Sequence, residues 1–308
     1  MLKKLWPDNK DPSVMEYKKR PLEVDILCKK SYGIACCRYV NYNMQILLVK
    51  KRYTYQFASF VFGHYKRSDE KKLIFLFNSM TYEEKIDIIS LRFDLLWYRI
   101  WLEFPEAKHE EIVLHSQQLD IARLLDVRKR KNKKAITQMD SYIRRKAKFE
   151  NSFCADGGKY LLHLIENTSN GSTLWEIPKG HSNKKELPLD VAIRECKEET
   201  GLSLSKYDIM YDMNSIVDTY MSSGIRYRNE YFIAYSTCLE CPKNIFSTTR
   251  ESIREVEEIK WVSLQELKYL DKMGHLTKLV KQIFLNIKYK YKIIPNGKRP
   301  ESVQSCAN

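Results

Sequence analysis

No run of apolar residues in this 308-residue chain approaches the ~20 that a membrane-spanning helix needs, so no membrane partner is expected. The opening stretch, "MLKKLWPDNKDPSV", lacks the apolar centre of a secretory signal. Nothing repeats at a fixed period, which excludes a solenoid or propeller array. The eight cysteines have no disulfide-scaffold spacing, and the one CxxC (Cys238, Cys241) has neither a second pair nor a histidine couple to complete a zinc site. His64, His109, His115, His163 and His275 likewise show no ligand spacing, and His181 carries no assigned role. Reduced thiols in a cytoplasmic, non-secreted protein are the expectation.

What the chain does have is apolar content, 44% of residues with 12% aromatic, enough for a real core. It also has a formal net charge of +14. That excess fits a polyanionic partner, with a generic lysine-rich surface as the plainer alternative.

Two β-prone runs, "SYGIACCRYV" (31–40) and "QILLVKKRY" (45–53), flank Asn41, Tyr42 and Asn43 and read as a hairpin. Beyond Phe57 the period changes. Thr81 and Glu84 make a capping box, and Trp97, Tyr98 and Trp101 fall within an apolar helical stripe that reads as core. Further helices are expected at about 108–125 and 135–150. Strand character returns at Lys159–Leu164, at "STLWEIP", over "DIMYDMNSIVDTYM" and "RYRNEYFIAYSTC", and at "VEEIKWVSL". Ser263 with Glu266 then caps a helix that "HLTKLVKQIFLNI" extends or repeats. The expected organisation is an extension at 1–30, a β-rich domain split between 31–57 and 156–290, an inserted helical, basic domain at 58–155, and a tail at 291–308.

Acid is concentrated in Gly180–Leu202, "GHSNKKELPLDVAIRECKEETGL". Pro188 suits the first turn of a helix and Gly201 its left-handed stop. On that helix Glu195, Glu198 and Glu199 share one face, where like charges repel unless a hard divalent cation sits among them. Gly180 lets bare backbone approach such an ion, Arg194 can orient a carboxylate, and Glu186 can support from outside. The plain alternative is a solvated acidic helix face.

The positions fit Gly-x5-Glu-x7-Arg-Glu-U-x-Glu-Glu-x-Gly-U, with U a bulky aliphatic and Cys196 standing at one U position. Seven identities at fixed spacing arise by chance with a probability of order 10⁻⁸ per start position. The segment therefore resembles the Nudix box, and "WEIPKG" resembles the strand that approaches it. The resemblance implies an α/β/α sandwich around a mixed sheet and Mg²⁺- or Mn²⁺-assisted hydrolysis of a diphosphate linkage. It implies metal ligands among Gly180, Glu195, Glu198, Glu199 and Glu255, with catalytic roles shared by Arg194, Glu195, Glu199 and Glu255. Glu255 enters because it precedes Trp261 where the family often brings a further glutamate; Glu257 and Glu258 are its rivals.

"LLVKKRYTYQF", the helical insert and "LWEIPKG", in that order, resemble the Nudix decapping enzymes of large cytoplasmic DNA viruses, those of African swine fever virus and the poxviruses among them. That likeness implies capped mRNA as substrate, m⁷GDP and 5′-monophosphate RNA as products, and a viral protein acting in host cytoplasm. A cationic methylguanine favours aromatic faces. The candidates are Tyr53, Tyr55 and Phe57 on one side and Tyr231 or Phe232 on the other, with Tyr55 and Phe232 nearest the cap-stacking positions by resemblance. Arg128, Lys129, Arg130, Lys131, Lys133 and Lys134, with Arg144, Arg145, Lys146 and Lys148, are candidates for the RNA body. Hydrolysis of diphosphoinositol or dinucleoside polyphosphates, and RNA binding without turnover, remain the alternatives.

Overall fold

The computed structural model describes residues 28–101, 133–183, 185–222, 225–236 and 255–291. Strands β1 (Cys28–Val40) and β2 (Asn43–Lys51) form the expected hairpin. Asn41 and Tyr42 adopt φ of 49° and 63°, the left-handed pair that a two-residue turn requires to match strand twist.

After β2 the chain turns helical. It forms α1 (Tyr55–Val61), α2 (Glu70–Ser79), α3 (Tyr82–Ser90), α4 (Phe93–Trp101), α5 (Lys133–Phe149), a π-helical turn (Glu150–Cys154) and α6 (Lys159–Glu166). The Thr81–Glu84 capping box is present at the start of α3. The long amphipathic run breaks at Leu91, which is extended and separates α3 from α4. The helix expected at 108–125 lies outside the described residues, as do Cys238 and Cys241. Lys159–Leu164 is helix, not the predicted strand. Short apolar runs do not distinguish the two periods, and here Leu161 and Leu164, three apart, both turn into a core made of helices. That core joins Phe57, Phe60, Phe77, Trp97, Tyr142, Phe153 and Leu164, so among the described residues the helices α1 to α6 pack as one layer, which takes in Phe57, Leu161 and Leu164 from outside the expected 58–155.

The remaining elements are β3 (Trp175–Glu176), β4 (Lys179–Gly180), α7 (Pro188–Thr200), β5 (Tyr207–Ile209), β6 (Ile216–Ser222), β7 (Ile225–Ser236), β8 (Val256–Ser263), α8 (Leu264–Leu270) and α9 (His275–Tyr291). One eight-stranded sheet runs β3-β2-β1-β7-β5, with β4 on β1, β6 on β7 and β8 on β2. The β1–β7 pair is parallel and the other pairs are antiparallel, so the sheet is mixed.

Alternation along β1 and β2 makes two apolar faces. Ile34, Cys36, Leu47 and Val49 pack with Ala192 and Cys196 of α7. Ala35, Cys37, Ile46 and Leu48 pack with Leu267 of α8 and Val280, Ile283 and Ile287 of α9. The result is an α/β/α sandwich from which the helical layer branches after Lys51 and to which it returns before Trp175.

One glycine sets how closely β1 meets β4. A Cβ on Gly33 would lie 2.2 Å from the Pro178 carbonyl oxygen, a backbone atom with no room to retreat. Gly33→Ala is therefore expected to lower stability by about 1–3 kcal/mol, read from the urea midpoint at unchanged m-value.

Candidate active site

Helix α7 starts on Pro188 and stops on Gly201, whose φ of 71° is free of strain only for glycine. Val191, Ala192 and Cys196 face the sheet. Glu195 and Glu198 face outward, and Glu199 lies on the border, 4% exposed. Arg194 ties the outward acids together. Its Nη1 donates to Glu195 at 2.8 Å and to Glu198 at 2.9 Å, and its Nε donates to Glu186 at 2.9 Å. Its Nη2 donates to the His181 carbonyl at 3.0 Å. Gly180 is the floor of this group: a Cβ there would sit 2.1 Å from the Glu195 carboxyl carbon.

Glu199 turns the other way. Lys51, the last residue of β2, donates to its Oε1 at 2.5 Å, and the Lys179 backbone N–H donates to its Oε2 at 3.1 Å. Lys51 Nζ also lies 3.3 Å from Glu176 and 3.8 Å from Glu255. Glu176 in turn accepts from Lys179 Nζ at 2.6 Å and from the Tyr55 hydroxyl at 2.9 Å. A β-bulge aims Lys51: Lys50 pairs with Glu258 but Lys51 with Val256, leaving Glu257 as the extra residue. Of the three rival acids Glu255 is the one whose carboxylate reaches Lys51, while Glu257 pairs outward with Lys50 at 2.9 Å.

These surroundings move the acids in opposite directions. Burial pushes the Glu195 carboxyl up, Arg194 pulls against it, and the charges on Glu198 and Glu255 push it further up. Burial also pushes Glu199 up against the pull of Lys51. Glu176 resists its own burial because Lys179 and Lys51 flank it, and its carboxyl is held low. Among the described residues no three His, Cys, Asp or Glu side chains converge tightly enough, as they stand, to grip an ion; each acid rests on Arg194 or on a lysine. The donors nonetheless suit a hard divalent cation. They are carboxylate oxygens, and the missing Cβ of Gly180 keeps a cradle open against Glu195.

The Nudix domain family matches residues 153–282. The mRNA-decapping protein g5R of African swine fever virus (isolate Warthog/Namibia/Wart80/1980) is 31% identical over 255 residues, covering 80% of this chain and 90% of that one. The chain belongs to the Nudix family. A putative mRNA-decapping protein of Acanthamoeba polyphaga mimivirus is 27% identical over 75% of this chain and 61% of its own length. Phosphatase NudJ of Escherichia coli O1:K1 / APEC is 46% identical, but over only 46 residues, 15% of this chain.

Around the Nudix acids the aromatic candidates separate. Phe57 is wholly buried in the helical core and Tyr231 is 3% exposed, so neither has a face to offer a ligand; helix and sheet interior claimed both. Phe232 packs, half-buried, on the α7 side of the sheet, and Tyr53 lies against Phe57. Tyr55 keeps half its surface exposed with its hydroxyl on Glu176. Absent from the sequence expectations are Lys51, Glu176, Lys179 and a stacked pair, Tyr220 and Tyr227, whose rings are 5.1 Å apart and 8° from parallel. A charged residue inside the apolar runs "LLVKK" and "LWEIP" was the available signal for Lys51 and Glu176.

The basic candidates separate too. Arg128, Lys129, Arg130 and Lys131 lie outside the described residues, and Lys133 and Lys134 open α5. Arg144 is exposed, whereas Lys146 pairs with Asp94 at 2.7 Å and Lys148 donates to the carbonyls of Gly63 and Tyr65 at 2.8 and 2.6 Å. Arg145 is half-buried, its guanidinium 6.0 Å from the Trp97 ring. Part of that cluster holds α5 in place.

Gly180→Ala pushes a methyl into the Glu195 carboxylate and is expected to weaken Mn²⁺ binding about 10–100-fold with the fold retained. Because the Glu195 carboxyl is raised, more of it is protonated at a given pH, so metal affinity falls earlier on acidification than ordinary carboxylates with pKa near 4 dictate. Calorimetric Mn²⁺ titration of both proteins across a pH series checks the two outcomes.

Proposed function

We propose that this Nudix protein is a metal-dependent hydrolase that removes the m⁷G cap from mRNA, releasing m⁷GDP and leaving 5′-monophosphate RNA. One observation supports the reading above the rest. The likeness to the viral decapping protein extends over 80% of the chain, well beyond residues 153–282, and so takes in the helical layer together with an intact set of acids.

Glu195, Glu198, Glu199, Glu255 and the Gly180 carbonyl are the groups that would hold Mg²⁺ or Mn²⁺. A bound divalent ion would draw charge from the bridging phosphates and favour ionisation of a nearby water. The chain's own residues supply the remainder. Arg194, fixed by three glutamates, orients Glu195 and Glu198. Lys51 and Lys179, both on Glu176 beside Glu199, present two ammonium groups at the place where a triphosphate would lie. The proton from water goes to a carboxylate among Glu195, Glu199 and Glu255.

For the cationic base, Tyr55 and Phe232 keep the roles expected from the resemblance, and the stacked Tyr220–Tyr227 pair adds an open aromatic face, Tyr220 being 40% exposed. Arg144 and the basic run from Arg128 to Lys134 carry the RNA body by phosphate contacts. No helix among the described residues is long and apolar enough to cross a membrane, and action on viral or host transcripts in the host cytoplasm fits this picture.

Cap-labelled RNA incubated with Mg²⁺ or Mn²⁺ is expected to yield m⁷GDP, and Glu199→Gln to slow its release by about 100-fold or more. Uncapped RNA should compete strongly and less so at high salt. Absence of m⁷GDP from the wild type at every RNA length overturns the proposal. Weak competition by RNA alongside turnover of inositol pyrophosphates would move the assignment to those substrates.

A further inference from the structure

Helix α3 carries a buried carboxylate and a buried ammonium side by side, Glu84 at 4% and Lys85 at 0% exposure. Each is satisfied by three hydrogen bonds. Glu84 accepts from the Thr54 backbone N–H at 2.6 Å, the Thr54 hydroxyl at 2.7 Å and the Thr81 N–H at 3.0 Å. Lys85 Nζ donates to the Thr168 carbonyl at 3.2 Å, the Thr168 hydroxyl at 2.9 Å and the Ser169 carbonyl at 2.7 Å. Thr54 lies on the short segment by which the chain leaves the sandwich, between β2 and α1, and Thr168 and Ser169 lie on the loop by which it returns, between α6 and β3. One turn of one helix thus grips both crossings.

The two gripped segments lead to the catalytic end of the sheet. Tyr55 follows Thr54 directly, four residues past Lys51, the partner of Glu199. Glu176 follows the return crossing, which is fastened again where Gly171 N–H donates to Met80 and Lys51 N–H to Leu174. They meet where the Tyr55 hydroxyl donates to Glu176, the acid that shares Lys51 and Lys179. Burying two charges is costly, and apolar residues of equal volume would stabilise a helix packing site at least as well. What the charged pair adds is directional bonding that fixes where each crossing lies.

We propose that Glu84 and Lys85 are positioning residues that couple the helical layer to the active site by setting the Tyr55–Glu176 contact. The kinetic part of this inference rests on the decapping reading; the geometric part does not. The Tyr55 hydroxyl then reports the state of both crossings, and through Glu176 it holds Lys51 and Lys179 in register with Glu199.

The experiment uses full-length chain labelled with ¹³Cζ-tyrosine, with the Tyr55 resonance assigned from Tyr55→Phe. In Glu84→Gln, Lys85→Met and Thr54→Val, the last removing both one donor to Glu84 and the hydroxyl that accepts from the Phe57 N–H at the start of α1, that resonance is expected to move toward its position in Glu176→Gln. Thr54→Ser should restore the wild-type position. With capped RNA, kcat should fall about tenfold while KM stays within about twofold. Adding Glu84→Gln to Tyr55→Phe should cost less than about a further twofold, as expected of residues acting through one contact. An unmoved Tyr55 resonance in the folded variants, or fully multiplicative losses, overturns the proposal. Since the resonance needs no substrate, failure of the decapping reading would leave it interpretable, and failure of the coupling would leave cap hydrolysis standing.

Discussion

The arrangement depends on a single buried ion pair. Glu199 is removed from water, and a carboxylate so placed is tolerable only with a cation or firm donors against it. Lys51 at 2.5 Å and the Lys179 N–H at 3.1 Å meet that need. To do so, Lys51 must come from the end of β2, Lys179 from the short strand on β1, and Glu199 from the last turn of α7. Three elements are therefore registered on one carboxylate, and the bulge at Lys50/Lys51 is the local distortion that allows it.

From that pair the charges extend in two directions. Outward, Arg194 collects Glu186, Glu195 and Glu198 into a partly exposed group. Inward, Lys51 and Lys179 share Glu176, and Glu176 takes the Tyr55 hydroxyl, the first contact with the helical layer. Opposite charges alternate through the site, so that each carboxylate proposed as a metal ligand rests beside a cation of the protein. A Nudix sandwich and an all-helical layer thereby share one electrostatic chain, and Glu84 and Lys85 anchor its far end.

Much of this was legible in the residues alone. The Asn41–Tyr42 turn, the Thr81–Glu84 and Ser263–Glu266 capping boxes and the Pro188–Gly201 limits of the acidic helix all rest on neighbours within a few residues. Reading failed where the window was too short or the contest too even. Lys159–Leu164 has apolar residues that fit either period, and packing on Phe153 and its neighbours decided for helix. Phe57 and Tyr231 carry the right chemistry for a planar cation, but the cores took both rings. Lys146 and Lys148 look like their basic neighbours in sequence, and only the positions of Asp94 and of the Gly63 and Tyr65 carbonyls show them to be internal fastenings.

The sequence by itself determined which acids share a helix face, since spacings of three and four residues become neighbours on any α-helix. It also determined the start and stop of that helix and the alternation that gives the sheet two apolar sides. Only the tertiary structure decided what those acids face. Lys51 and Glu199 are 148 residues apart and Tyr55 and Glu176 are 121 apart, so no local rule links them. Such pairs form because the sheet brings distant strand ends together and the interior then leaves an unpaired charge no cheaper partner.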